Sequence, residues 1–134
     1  MKFKRIIKES SNSIEMIKIK QWLDKVGIIN YTINEDGTVD VNGDVDLEGK
    51  KLKEIPVQFG FVDGSFYCGI NQLTSLRGSP EKVGGGFYCN DNQLTSLEGS
   101  PETVSGSFYC SNNSVNFSES DVMNVCEVDG NIYV

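Results

Sequence analysis

The chain of 134 residues has no histidine, three prolines and a single tryptophan. Without histidine it lacks the one side chain whose ordinary pKa lies near neutrality, and with it the commonest general base and metal ligand. No stretch approaches the roughly 20 apolar residues that a membrane-crossing helix needs. Met1–Ser10 is too polar to be the apolar core of a secretory signal, so a soluble cytoplasmic chain is expected. Glycine loops of the phosphate-binding or dinucleotide-binding kind are missing, and the 14 glycines read as turn residues. Hydrophobic residues reach only 38%, which predicts one domain with a thin core and many turns.

What charge there is divides unevenly. Residues 1–26 carry seven Lys/Arg against three Asp/Glu, a balance of +4, and residues 27–134 carry five against sixteen, a balance of −11. An acidic body repels phosphate backbones, which argues against direct nucleic-acid binding and for a protein partner with a basic surface.

A repeat organises most of the chain. Phe-Tyr-Cys recurs at 66–68, 87–89 and 108–110, a period of 21, and Val62/Val83/Val104, Asn71/Asn92, Leu73/Leu94, Leu76/Leu97, Gly78/Gly99 and Pro80/Pro101 keep the same step. A degenerate unit precedes these through Val41, Val45, Leu47, Leu52 and Ile55, so the array begins near residue 39. Val128–Val134 (VDGNIYV) matches Val62–Cys68 (VDGSFYC) after a longer, 24-residue step. The unit V-x-G-x-F-Y-C-x-x-N-x-L-x-x-L-x-G-x-P contains the leucine-rich-repeat pattern L-x-L-x-x-N-x-L, with Phe and Cys in the first two apolar slots.

Each coil should therefore make a short strand with Phe and Cys inward and the residue between them outward. The fold class expected is α+β, mainly β: a solenoid of four to five coils with a single parallel sheet. Asn71, Asn92 and Asn113 should turn the chain off the sheet and satisfy backbone groups there. The Gly-x-Pro segments leave no room for a long helix, so extended or 3₁₀ turns are expected on the return side. Cys68, Cys89 and Cys110 read as core residues of the repeat, without the C-x-x-C spacing of a zinc site.

The organisation expected is a basic tail or leader over 1–11, a cap over 12–38 and the solenoid over 39–134. Within the cap, Asn12-Ser13-Ile14-Glu15 fits a capping box, with Ile19, Trp22, Leu23 and Val26 on one face of a helix over 13–26 and Gly27 beyond it. Ile29–Ile33 and Thr38–Val41 around Glu35-Asp36-Gly37 predict a hairpin. A solenoid needs such covers on its apolar ends. At the other end Ile132, Tyr133 and Val134 form a terminal strand whose free edge invites self-association.

Carboxylates are numerous, but no pair is joined by the pattern to a nucleophile, so no catalytic residues, no cofactor and no metal are expected. The outward slot between Phe and Cys is different. Tyr67, Tyr88, Tyr109 and Tyr133 fill it on successive coils and Asp46 fills it on the first, flanked by Asp44 and Glu48. A tyrosine column is suited to contact with a partner, because large rigid rings lose little entropy on binding. It is equally suited to stiffening the sheet by cross-strand pairing, at roughly 0.2–1 kcal/mol a pair.

The segments YTINEDGTVDVNGDVDL, EIPVQFG and NQLTSLEGSPETVSGSFYCSNN, spread over about residues 20–134, resemble leucine-rich-repeat-like proteins of large tailed bacteriophages. The resemblance implies a phage source and a solenoid, and carries over no catalytic residue. Met1–Ser10 (MKFKRIIKES) is similar to the short capsid-targeting leaders of phage internal proteins, which implies cleavage between Glu9 and Ser10. Packaging in the virion and delivery to the host cytoplasm, to meet a host defence or nucleic-acid enzyme, would follow. A role as a minor virion or assembly component acting through self-association is the alternative, and a plain basic tail accounts for the same ten residues.

Overall fold

A computed structural model describes the backbone of residues 2–134 and the side chains from Ser13 onward. One helix, α1 (Lys2–Lys25), precedes eleven short strands: β1 (Tyr31–Ile33), β2 (Val39–Val41), β3 (Val45–Asp46), β4 (Phe59–Val62), β5 (Phe66–Tyr67), β6 (Lys82–Val83), β7 (Phe87–Tyr88), β8 (Thr103–Val104), β9 (Phe108–Tyr109), β10 (Glu127–Val128) and β11 (Ile132–Tyr133). A second helix, α2 (Glu119–Met123), lies between β9 and β10. Among the described residues no helix is long and apolar enough to cross a membrane.

The chain is a mainly β solenoid of five coils, each contributing two strands. Where the repeat predicted a single sheet, the coils build two: β1-β2-β4-β6-β8-β10 and β3-β5-β7-β9-β11. The reason is the turn between each valine strand and the following Phe-Tyr strand. Gly64, Gly85, Gly106 and Gly130 stack there, each N–H donating to the carbonyl of the glycine one coil before, at 3.1, 2.8, 2.8 and 2.9 Å. A Cβ on Gly106 would stand 2.7 Å from the backbone of Gly85, so only glycine lets the turns stack this closely. The bend diverts the chain, and the valine and Phe-Tyr strands fall on separate faces.

Neighbouring coils run parallel in the expected register, Phe66 opposite Phe87 and Phe87 opposite Phe108, Val62 opposite Val83 and Val83 opposite Val104. The buried core is a set of columns: phenylalanines with ring centroids 5.8 and 5.1 Å apart, the cysteines behind them, and Leu73/Leu94 and Leu76/Leu97 on the return side. The asparagine reading holds in atomic detail. The Asn92 amide nitrogen donates to the carbonyls of Cys68 and Cys89, and its oxygen accepts the N–H of Leu73, so one side chain clamps two coils. Asn71 and Asn113 do the same one coil to either side.

The caps depart from expectation in one respect each. The helix starts well before Asn12-Ser13-Ile14-Glu15, which therefore lies inside α1 and does not begin it. Its end is as expected: Gly27 is left-handed (φ +83°), and Ile28 N–H reaches the Leu23 carbonyl at 2.9 Å while Gly27 N–H reaches Asp24 at 3.2 Å, the double bond of a Schellman stop. Leu23 is buried and Trp22 meets Phe59 edge-on at 6.5 Å, closing the first coil. The hairpin pairs antiparallel, Tyr31 with Val41 and Ile33 with Val39. At the far end the longer last unit accommodates α2, a helical turn in place of the extended return. It is capped by Ser118, whose hydroxyl accepts the Asp121 N–H while the Asp121 carboxylate accepts the Ser118 N–H.

Candidate functional site

The outward face of the five-stranded sheet brings together the four tyrosines. Strand alternation fixes their direction, because Phe66, Phe87 and Phe108 are buried and the next residue must face out. Tyr67, Tyr88, Tyr109 and Tyr133 stack with centroids 4.6, 4.4 and 4.5 Å apart and ring planes within 10–14° of parallel. That separation is close to the strand spacing of about 4.7–4.9 Å, so the parallel sheet dictates the stack. The ring faces cover one another, and the column presents edges and phenol hydroxyls to solvent. Burial by the flanking rings, then the proximity of Tyr109 and Tyr67, holds the Tyr88 phenol above its ordinary range, so its hydroxyl is a protonated donor at neutral pH.

The acidic end of the face has two characters. Asp46 sits on β3 in register with Tyr67 and extends the column, with its carboxylate accepting the Glu48 N–H at 3.0 Å. Asp44 instead accepts the Ser65 N–H of the next coil at 2.7 Å, a rung that Ser65 repeats toward Gly86 and Ser107 toward Asn131, both at 3.0 Å. The structure thus gives Asp44 a coil-joining contact, and Asp44, Asp46 and Glu48 are all exposed.

Ile132 and Tyr133 form β11, and Val134 is exposed beside them. Within the described residues no strand pairs with the outer side of β10 or β11. Glu9 and Ser10 lie outside the residues whose side chains are described.

Comparison with protein-family models, curated proteins and solved structures finds no match. The functional reading therefore rests on geometry and sequence pattern.

The cysteines are packing residues. Burial pushes the Cys68 and Cys89 thiols far up, and Cys110 and Cys126 up to about 11. All four are free and buried, which is the opposite of the setting that makes a reactive thiolate. Among the described residues no group of three or more Cys, Asp or Glu is arranged to hold a metal.

One concave feature was not foreseen. A cleft of about 800 Å³ lies against the six-stranded sheet, lined by residues of the hairpin, of Gln58–Phe61, of Arg77–Lys82 and of Glu98–Glu102. Its signal was present in the 21-residue step, which aligns Gln58 with Ser79 and Ser100, and Glu81 with Glu102. Such polar positions pass as turn residues until the fold shows that they share a hollow.

Proposed function

We propose that the chain is a non-catalytic protein-binding module whose contact surface is the tyrosine face, Tyr67, Tyr88, Tyr109 and Tyr133 with Asp46 and Glu48 at one end. The observation that carries the reading is the stack itself: four rings locked at 4.4–4.6 Å offer a rigid amphipathic strip whose ordering cost folding has already met. The acidic balance of the body supports a basic partner surface. With the phage resemblance, the partner proposed is a host defence or nucleic-acid enzyme that the module modulates or inhibits in the host cytoplasm.

The test uses the chain and its Tyr88→Ser/Tyr109→Ser variant as parallel baits in a bacterial lysate. A protein held by the first and lost by the second, with both baits equally folded by circular dichroism, is the expected result. A partner retained by both would remove the tyrosine face from the reading. Mass spectrometry of virions tests the leader: a packaged chain should begin at Ser10.

A second reading, as a virion or assembly component acting through self-association, draws on the free outer edges of β10 and β11, beside which Met123, Val125, Tyr133 and Val134 are exposed. Light scattering across a wide concentration range separates the two readings, since a monomer throughout counts against this one.

A further inference from the structure

We propose that the cleft on the six-stranded sheet is a second docking site, for an extended segment of a partner protein that carries arginine or lysine side chains. Its charge is the first reason. Asp36, Asp40, Glu81, Glu98 and Glu102 line it against two cations, Arg77 and Lys82. Asp36 and Asp40 are engaged with Thr38 and with the Phe61 N–H. Among the described residues the one ion pair is Lys20–Asp24, neither of which lines the cleft, so Glu81, Glu98 and Glu102 make no ion pair with the cations beside them.

The second reason is independent of charge. Ser79 lines the cleft, is only 3% exposed, and its hydroxyl has no hydrogen-bond partner; the hydroxyl of Ser100, one coil on, is also buried without one. Gln58, the same position one coil before, does find partners in the carbonyls of Phe59 and Ser79, at 2.9 and 2.8 Å. Two unsatisfied hydroxyls in one row are costly to leave unpaired, and, closed to solvent as they stand, they are satisfied by a peptide backbone seated along the row once the serine side chains rotate toward it. Phe61, large and 48% exposed at the cleft, adds an apolar surface for the methylene stems of lysine or arginine and a ring for a guanidinium.

The probe is a fluorescein-labelled peptide of alternating arginine and glycine, about eight residues long so that it can span the cleft when extended. Its binding to the full chain is followed by fluorescence anisotropy. Saturable binding is expected, weakened about tenfold in Glu81→Gln/Glu98→Gln/Glu102→Gln, the loss that three exposed ion pairs give together. The control Glu15→Gln/Glu119→Gln/Asp129→Asn removes the same charge elsewhere and should weaken binding less than about twofold. Ser79→Ala should weaken it about threefold with no change of charge, whereas a purely structural hydroxyl would leave binding untouched. Equal losses in the two triple variants, or no saturation with the parent chain, overturn the proposal. So does loss of the peptide in Tyr88→Ser/Tyr109→Ser, which would assign it to the tyrosine face. Thermal melting of every variant within about 3 °C of the parent keeps folding out of the comparison.

Discussion

The ring of Tyr88 lies across Gly86: a Cβ on that glycine would stand 2.9 Å from Cε2 and 3.1 Å from the hydroxyl oxygen. Tyr88 thus leans back along its own strand over the residue two before it, and the 3.3 Å contact from the Asn131 amide to the Tyr133 hydroxyl shows the same lean on the last coil. The column is thus held by the sheet beneath as much as by neighbouring rings. Ser65, Ser107 and Asn131 occupy the equivalent positions before Tyr67, Tyr109 and Tyr133, so a side chain with an unbranched Cβ is accommodated there, whereas a β-branched one crowds the ring. Gly86→Val should tilt Tyr88 out of the stack. The expected result is a weaker near-ultraviolet tyrosine dichroism and a loss of about 1 kcal/mol in stability, with the far-ultraviolet spectrum unchanged.

Asn92 should be the most costly of the polar side chains to remove. It is 8% exposed, and truncation leaves the Leu73 N–H without its acceptor and the Cys68 and Cys89 carbonyls without this donor. Asn92→Ala is expected to lower the urea unfolding free energy by about 2–4 kcal/mol. Asn71→Ala and Asn113→Ala, at half-buried sites, should cost less.

Ile70 offers the opposite sign. It holds φ +54° at the position where the next two coils place Asp91 at +57° and Asn112 at +56°. A β-branched residue is strained in that region, while asparagine tolerates it. Because Ile70 is 54% exposed, replacing it sacrifices little burial. Ile70→Asn should stabilise the chain by about 1 kcal/mol, read as a rise of a few degrees in the melting temperature.

These three sites show what the sequence could and could not disclose. The period of 21 fixed Asn92 and Tyr88 in their columns, because inward and outward positions follow from strand alternation alone. It also gave a coil number of four to five, while the hairpin and the Gly27 stop were legible in local alternation and helical spacing. It did not disclose the second sheet, since the bend at Gly64, Gly85 and Gly106 depends on how closely one turn approaches the next. Nor did it show the start of α1, where a local capping pattern was outweighed by continuation of the helix. The cleft stayed hidden for a related reason: its residues come from the hairpin and three coils, and only the fold assembles them.

Asp24 gives the cap a pH dependence. Its carboxylate accepts from Lys20 at 2.7 Å and from the Tyr31 hydroxyl at 2.8 Å, and these bonds, Lys20 first, hold its pKa below the ordinary aspartate value. A depressed folded pKa means stability that is present above the unfolded pKa and lost as pH falls through the folded one. The tie between α1 and the hairpin should therefore loosen only in acid below the usual aspartate range. Hydrogen exchange of the β1–β2 amides should accelerate there relative to those of β7 and β9, and Asp24→Asn should flatten the difference.

The cysteine columns make a prediction that separates packing from chemistry. With Cys68 and Cys89 pushed far up and Cys110 and Cys126 up to about 11, almost no thiolate exists at pH 8, and the sulfurs are buried. A disulfide reagent such as Ellman's should label none of the four rapidly in the folded chain and all four in denaturant. Cys89→Ser should then be worse than Cys89→Ala, because serine carries a hydroxyl into an apolar column while alanine leaves only a small cavity. The gap expected is about 1–2 kcal/mol in unfolding free energy. A folded chain with a rapidly labelled Cys68 or Cys89 would show that the coils open locally, and amide exchange in β5 and β7 would have to rise in step.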